Sequence, residues 1–218
     1  MRFGTIDMTY AADLATRAPE NDGPIYMVNF MKYKTVAEYR DPSTTESSIS
    51  GKDADDKYAP VDVLERIGAH VALHGTIVAQ GCEGEWDRMG IVKYPTRRSF
   101  IDMQNRPDFK TKYVHKEAGM DYTIVMGTLP SVDHVDIPRR GFVTFRLTAS
   151  PQSAEASATA ARLGVEGTIV GDGRAWADLT MTWSDVVPDL PSLQKGGDEI
   201  VVVAQAEIDR MGKLLSVR

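Results

Sequence analysis

Hydrophobic and polar positions along this chain fall into short blocks of two kinds. Residues 25–34, 70–80, 85–94, 121–129, 141–147, 165–170, 174–183 and 199–208 are rich in Val, Ile, Phe, Tyr, Trp and Met and bounded by Gly, Pro or polar clusters, and they read as strands. Helical spacing occupies most of the intervals. Thr9 is placed to cap a short helix through Arg17. Residues 56–69 carry Tyr58, Val61, Leu64 and Ile67 on one side, and Thr96 is placed to cap a helix over 97–105. Pro107 opens a further helix to about Glu117, with Gly119 in the stop position. An Ala-rich stretch over 150–162 predicts one more helix. Residues 35–56 are polar and read as a long loop with a helical turn at Val36–Tyr39.

The order from 24 to 130 is β-α-β-β-α-β, a ferredoxin-like unit, preceded by a lead-in over 1–23. After a polar linker the plan restarts over 139–218, although 186–197 holds prolines and glycines where the first unit has helices. Gly75-Thr76-Ile77-Val78 returns as Gly167-Thr168-Ile169-Val170, an offset of 167 − 75 = 92, and Val28-Asn29-Phe30 parallels Val143-Thr144-Phe145. Trp86 parallels Trp176, 176 − 86 = 90. Matches in the same order point to an internal duplication. The fold class expected is α+β: two tandem ferredoxin-like units whose antiparallel sheets face each other as an α/β barrel within one chain.

Strand alternation then sorts the side chains. Ala177, Leu179, Met181 and Trp183 form a wholly apolar face, assigned to the helices, and by transfer so are Met89, Ile91, Val71, Leu73, Ile77, Val28 and Phe30. The opposite face holds Met27, Asn29, Met31, His74, Thr76, Trp86, Arg88, Tyr94, Trp176 and Asp178, and is expected to line a cavity between the two sheets. Apolar walls with a few convergent polar groups suit a small-molecule site.

Composition narrows the classes further. The net charge is −6 with no block of Lys or Arg, which argues against nucleic acid and anionic membranes as partners. Apolar runs are strand-sized, and the first residues lack the apolar core of a signal peptide, so a soluble cytoplasmic protein is expected. Cys82 is the single cysteine.

His74 is the leading acid/base candidate, because imidazole titrates near neutrality. Arg88 is suited to hold a carboxylate or enolate oxygen, or else to pair with Asp178, and Asn29 to donate to a substrate oxygen. His70 and His74 would stand about 13 Å apart on a strand, too far for one metal ion, and no nucleotide, phosphate-loop or serine-hydrolase motif is present.

The stretch from Val28 to Lys34, with Ala37-Glu38-Tyr39, resembles the opening of a large bacterial family of ferredoxin-like domains in the dimeric α/β-barrel superfamily. Trp86-Asp87, residues 92–97, Phe100, Met103, Pro107 and His115-Lys116-Glu117-Ala118-Gly119-Met120 are similar to that family's later motifs. Thr96 and Lys116 depart from the Ser and Arg usual there. The resemblance covers residues 25–129 and implies the barrel fold. His115 matches the family's histidine and joins the catalytic candidates. Relatives include isomerases, cyclases, cofactor-free and haem-dependent oxygenases, and ligand-binding domains.

The expectation is therefore a cofactor-independent enzyme of lyase, isomerase or cyclase type. His74, His115, Asn29 and Arg88 would do the chemistry on an apolar, aromatic or polyketide-like carbonyl compound. A non-catalytic binding protein and a cofactor-free or haem-dependent monooxygenase are the alternatives. The chain is expected as a monomer with an internal pseudo-dimer, or as a homodimer.

Overall fold

The computed structural model describes residues 4–41, 49–82, 85–131, 140–151 and 160–215. A two-residue strand β1 (Thr5–Ile6) leads into α1 (Met8–Thr16) and β2 (Ile25–Tyr33). Then come α2 (Gly51–Tyr58), α3 (Val61–Arg66), β3 (His70–Gln80) and β4 (Arg88–Tyr94). Next are α4 (Arg97–Asn105), α5 (Pro107–Gly119) and β5 (Met120–Pro130). The second half supplies β6 (Phe142–Thr148), β7 (Ala160–Gly171), β8 (Asp178–Ser184), β9 (Glu199–Asp209) and α6 (Met211–Leu214).

Every strand pair is antiparallel, in the order β7-β5-β2-β4-β3-β9-β6-β8, and β8 pairs back onto β7. An eight-stranded barrel thus closes within one chain, which removes every edge except the β7 margin that β1 covers. The first half runs β5-β2-β4-β3 and the second β9-β6-β8-β7, the same order of strands. Val28 and Phe30 stand opposite Ile91 and Met89, as Val143 and Phe145 stand opposite Trp183 and Met181. Those ladders align Met89 with Met181, but Met89 stands opposite Gly75 and Met181 opposite Ala161, 161 − 75 = 86, so the Gly-Thr-Ile-Val repeat does not fall in the same register. Trp86 and Trp176 lie just before their strands, outside the ladders.

The face assignment from alternation is reversed, except that Val71 does lie under the helices and Trp86 and Trp176 do belong to the interior. Val28, Phe30, Leu73, Met89, Ile91, Met126, Phe145, Leu179, Met181 and Val202 form one buried cluster drawn from the barrel strands, and Met211 and Leu215 pack onto it. The wholly apolar face therefore fills the barrel. Strands surround that space on all sides, so no polar side chain there could reach water, whereas the helices cover only part of the outside. Met27 and Tyr94 point outward, to a second core beneath the helices with Leu14, Leu64, Phe100, Met103 and Phe109. The ladder skips Ala72, so Val71 faces outward with Val92 while Leu73 faces inward with Ile91.

Several local expectations are also corrected. Asp7, not Thr9, caps α1, accepting from the amides of Thr9 and Tyr10 at 2.9 Å each. The helix expected over 56–69 is two, because Pro60 interrupts it and α2 begins at Gly51 inside the expected loop. No helical turn forms at Val36–Tyr39, since the amides of Ala37 and Glu38 are bound by the carbonyls of Ile49 and Ala118. Residues 160–162 belong to β7, so the expected Ala-rich helix does not extend to Arg162; residues 152–159 lie outside the described ones. The strand expected from residue 174 begins at Asp178.

Thr96 caps α4 as expected, accepting from Ser99 N while the Ser99 hydroxyl accepts from the Thr96 amide. Gly119 ends α5 for a tertiary reason. A Cβ there would collide with the backbone oxygen of Gly51, and one on Gly51 with that of Gly119, so these glycines let α2 and α5 cross in contact. Gly127 and Gly167 are cross-strand partners, and the ring of Tyr10 lies where their side chains would be. No helix among the described residues is long and apolar enough to cross a membrane.

Candidate functional site

A cavity of about 700 Å³ lies on the outer face of the first half, between β2, β3, β4 and β5 and the helices α2 to α5. This replaces the expected place between two sheets. Its floor is one row across three strands: Asn29 opposite Gly90, and Gly90 opposite His74. Gly90 has no side chain, which opens the floor between the amide and the imidazole; a Cβ there would make only ordinary contacts with Met31 and His74. Tyr58, Tyr94, Phe100, Met103, Phe109 and Tyr113 supply an aromatic and apolar roof and walls. Arg40 and Glu117 also line it and form an ion pair at 2.5 Å.

His74 is oriented by the second half of the chain. Its Nδ1 lies 3.0 Å from a carboxylate oxygen of Glu207 on β9, whose other oxygen accepts from Thr76 at 2.7 Å. A carboxylate partner requires Nδ1–H, which leaves the lone pair on Nε2. Burial, then the Arg88 charge, holds the imidazole below the usual histidine pKa despite Glu207. Burial alone would raise Glu207, but the Thr76 hydrogen bond and the charges of His74 and Arg88 outweigh it and lower its pKa. At neutral pH the pair is a neutral base held by a carboxylate.

Arg88 is almost fully buried and is committed to α2, with Nη1 at 3.0 Å from Asp55 and 2.8 Å from Asp56. Tyr33 donates to Asp55 at 2.6 Å, and its ring lies 5.5 Å from the guanidinium. Burial and the Asp55 charge push the Tyr33 hydroxyl far above its ordinary pKa. Burial lowers Arg88, but Tyr33 and the two carboxylates outweigh it and keep the guanidinium charged. The alternative pair with Asp178 does not form. Asp178 accepts from Arg162 at 2.9 and 2.6 Å.

Of the residues singled out in the sequence, Asn29, Met31, His74, Arg88 and Tyr94 line this cavity. Thr76 and Arg88 line a neighbouring groove with Lys32, Lys34 and Lys52. Met27 is buried beneath the helices, and Trp86 and Trp176 belong to the barrel interior. His115 is outside the lining, its Nδ1 2.8 Å from the Tyr39 hydroxyl. Asn29 makes one long bond, from Nδ2 to the Met27 carbonyl at 3.3 Å.

Sequence reasoning missed Asp55, Tyr58, Lys116 and Glu207. Lys116 lines the cavity with its ammonium 5.2 Å from the centre of the Tyr58 ring. Burial pulls its pKa below the usual lysine value, with Asp55 opposing. The available signal was slight: a carboxylate two residues beyond Gln205, which ends the apolar run of β9. Among the described residues no group of three or more His, Cys, Asp or Glu stands ready to hold a metal ion.

Fold and site together define a class: a mixed α+β protein with a closed, antiparallel eight-stranded barrel and a mainly apolar cavity under the helices of one half. No family model and no curated protein matches the chain. Solved structures are similar to it. RPA0582, a Rhodopseudomonas palustris protein of unknown function, is 22% identical with a TM-score of 0.48, over 58% of this chain and 95% of that one. A Lactobacillus acidophilus protein described as a "putative monooxygenase" is 11% identical with a TM-score of 0.43, over 84% of this chain and 96% of its own. At these scores neither carries a function over to this chain.

Proposed function

We propose that this protein is a small-molecule enzyme in which His74 acts as general base on a carbonyl compound, aromatic or polyketide-like, held in the cavity beneath α2 to α5. The observation that carries the reading is the His74–Glu207 pair in one row with Asn29 across Gly90. Nε2 takes a proton from the carbon beside the carbonyl, and Glu207 stabilises the imidazolium that results. The Asn29 amide exchanges its long bond to Met27 for the developing enolate oxygen. Returning the proton elsewhere on the anion gives an isomerisation; expelling a group or closing a ring gives lyase or cyclase chemistry. No cofactor is needed for these steps. The halves are read as copies of one ferredoxin-like unit, on the shared strand order.

The predominance of aromatic and apolar groups in the lining favours a second reading, a protein that sequesters such a compound without changing it. One experiment separates the two. A thermal-shift screen of aromatic and polyketide-like ketones identifies binders, and each binder is followed for solvent-deuterium exchange and for product. Exchange that disappears in His74→Ala supports the base. Tight binding without exchange or product supports sequestration, and oxygen uptake in the same assay would instead indicate oxygenation of the anion.

A further inference from the structure

We propose that Lys116 is a Schiff-base lysine, condensing through Nζ with the carbonyl carbon of an aldehyde or ketone bound in the cavity. This rests on the reading of the cavity as a carbonyl site, but not on the role of His74.

Four lysines elsewhere on this half are engaged with carboxylates, Lys32 with Asp87 at 3.0 Å, Lys34 with Glu38 at 2.8 Å, Lys52 with Asp56 at 2.7 Å and Lys112 with Asp62 at 2.9 Å, and Lys93 donates to the Leu214 carbonyl at 2.8 Å. Lys116 differs. Among the described residues no carboxylate stands within salt-bridge distance of it, and its ammonium lies over the Tyr58 ring. The Tyr58 hydroxyl is held neutral, since burial pushes its pKa far up. An amine in such a place loses much of the hydration that keeps it protonated, and burial does lower its pKa. The Asp55 charge acts in the other direction but is itself paired with Arg88.

The neutral amine adds its lone pair to the carbonyl carbon, giving a carbinolamine. A proton passes through solvent from nitrogen to the hydroxyl, which leaves as water as the C=N bond forms. Nothing is oxidised or reduced. When that imine is protonated, the cation lies over the Tyr58 ring, whose face stabilises positive charge without a counter-ion. An iminium acidifies the neighbouring C–H more than a carbonyl does, which suits a base on the floor of the cavity.

The test uses the full chain with benzaldehyde as probe and sodium cyanoborohydride to fix any imine as a benzylamine, at pH 7, followed by peptide mapping. Lys116 is expected to be benzylated at least about tenfold faster than Lys110 and Lys112 on the same helix, because only the neutral amine attacks the carbonyl. Labelling spread evenly over the lysines, or sparing Lys116, overturns the proposal. Lys116→Arg keeps a cation over Tyr58 and is expected to lose the fast adduct; if that variant does not fold, the wild-type map alone decides. His74→Ala separates the two readings. Fast labelling of Lys116 in a protein whose turnover never depended on His74 leaves the lysine standing and removes the base.

Discussion

His74 is buried enough to be neutral near pH 7, yet it is held in place by a charge from a strand more than a hundred residues away. Replacing it with Ala is expected to cut turnover roughly 10²–10⁴-fold, the range for losing a general base, with a melting temperature close to wild type. Its lowered pKa also fixes a sign. The unfolded chain binds the proton more readily, so the stability from this site is present above about pH 6.5. It is lost as pH falls below that value, and Glu207, also lowered, adds loss in the acid range. Thermal melts between pH 8 and 5 measure this, and His74→Gln should flatten the slope between 7 and 5. Arg88 is a different kind of residue. Arg88→Met strands Asp55, which is buried, and is expected to cost about 3–5 kcal/mol. Adding Asp55→Asn should recover part of that loss in denaturant titrations.

Among the elements, α2 carries the most consequence for the site. It brings Asp55 and Asp56 to Arg88 and Tyr58 to Lys116, and it is seated by the Gly51–Gly119 contact with α5. Gly119→Ala places a methyl against the backbone of Gly51, so the helices must separate. The expected cost is about 1–3 kcal/mol, together with weaker ligand binding, read by melting and by titration of a screened ligand. In β4, Gly90→Val sends a branched side chain into the floor between Asn29 and His74. Strands favour valine, so the fold should hold while ligand affinity falls by about tenfold or more. A variant that binds normally would mean the ligand does not rest on this row.

For the whole molecule, the barrel interior takes side chains from both halves, so neither half encloses a dry core alone. Unfolding is expected as a single calorimetric transition, with van't Hoff and calorimetric enthalpies equal. Two separated transitions would show that the halves fold independently. A fragment ending at Pro130 lacks Glu207 and half the barrel, and is expected to aggregate or to dimerise in place of the missing half, which gel filtration distinguishes. The β7–β8 pairing closes the barrel without a second chain.

Strand positions and the capped start of α4 were written locally in the sequence. Alternation, Thr96 and turn residues act over a few positions, and folding does not change them. Alternation also placed Asn29, Met31, Arg88 and His74 together on one face, correctly as a set. It could not say which face was which. Period-two patterning is symmetric, and only closure of the barrel makes the inside the place where no polar group can be solvated. The bulge at Ala72, invisible in the pattern, then sends Val71 and Leu73 to opposite sides. Lys116, Tyr58, Asp55 and Glu207 gain their character from neighbours on other elements: a ring, an arginine, an imidazole. Those partners are distant in the chain. The chain therefore determined which residues could share a surface, and the tertiary structure decided what each of them meets there.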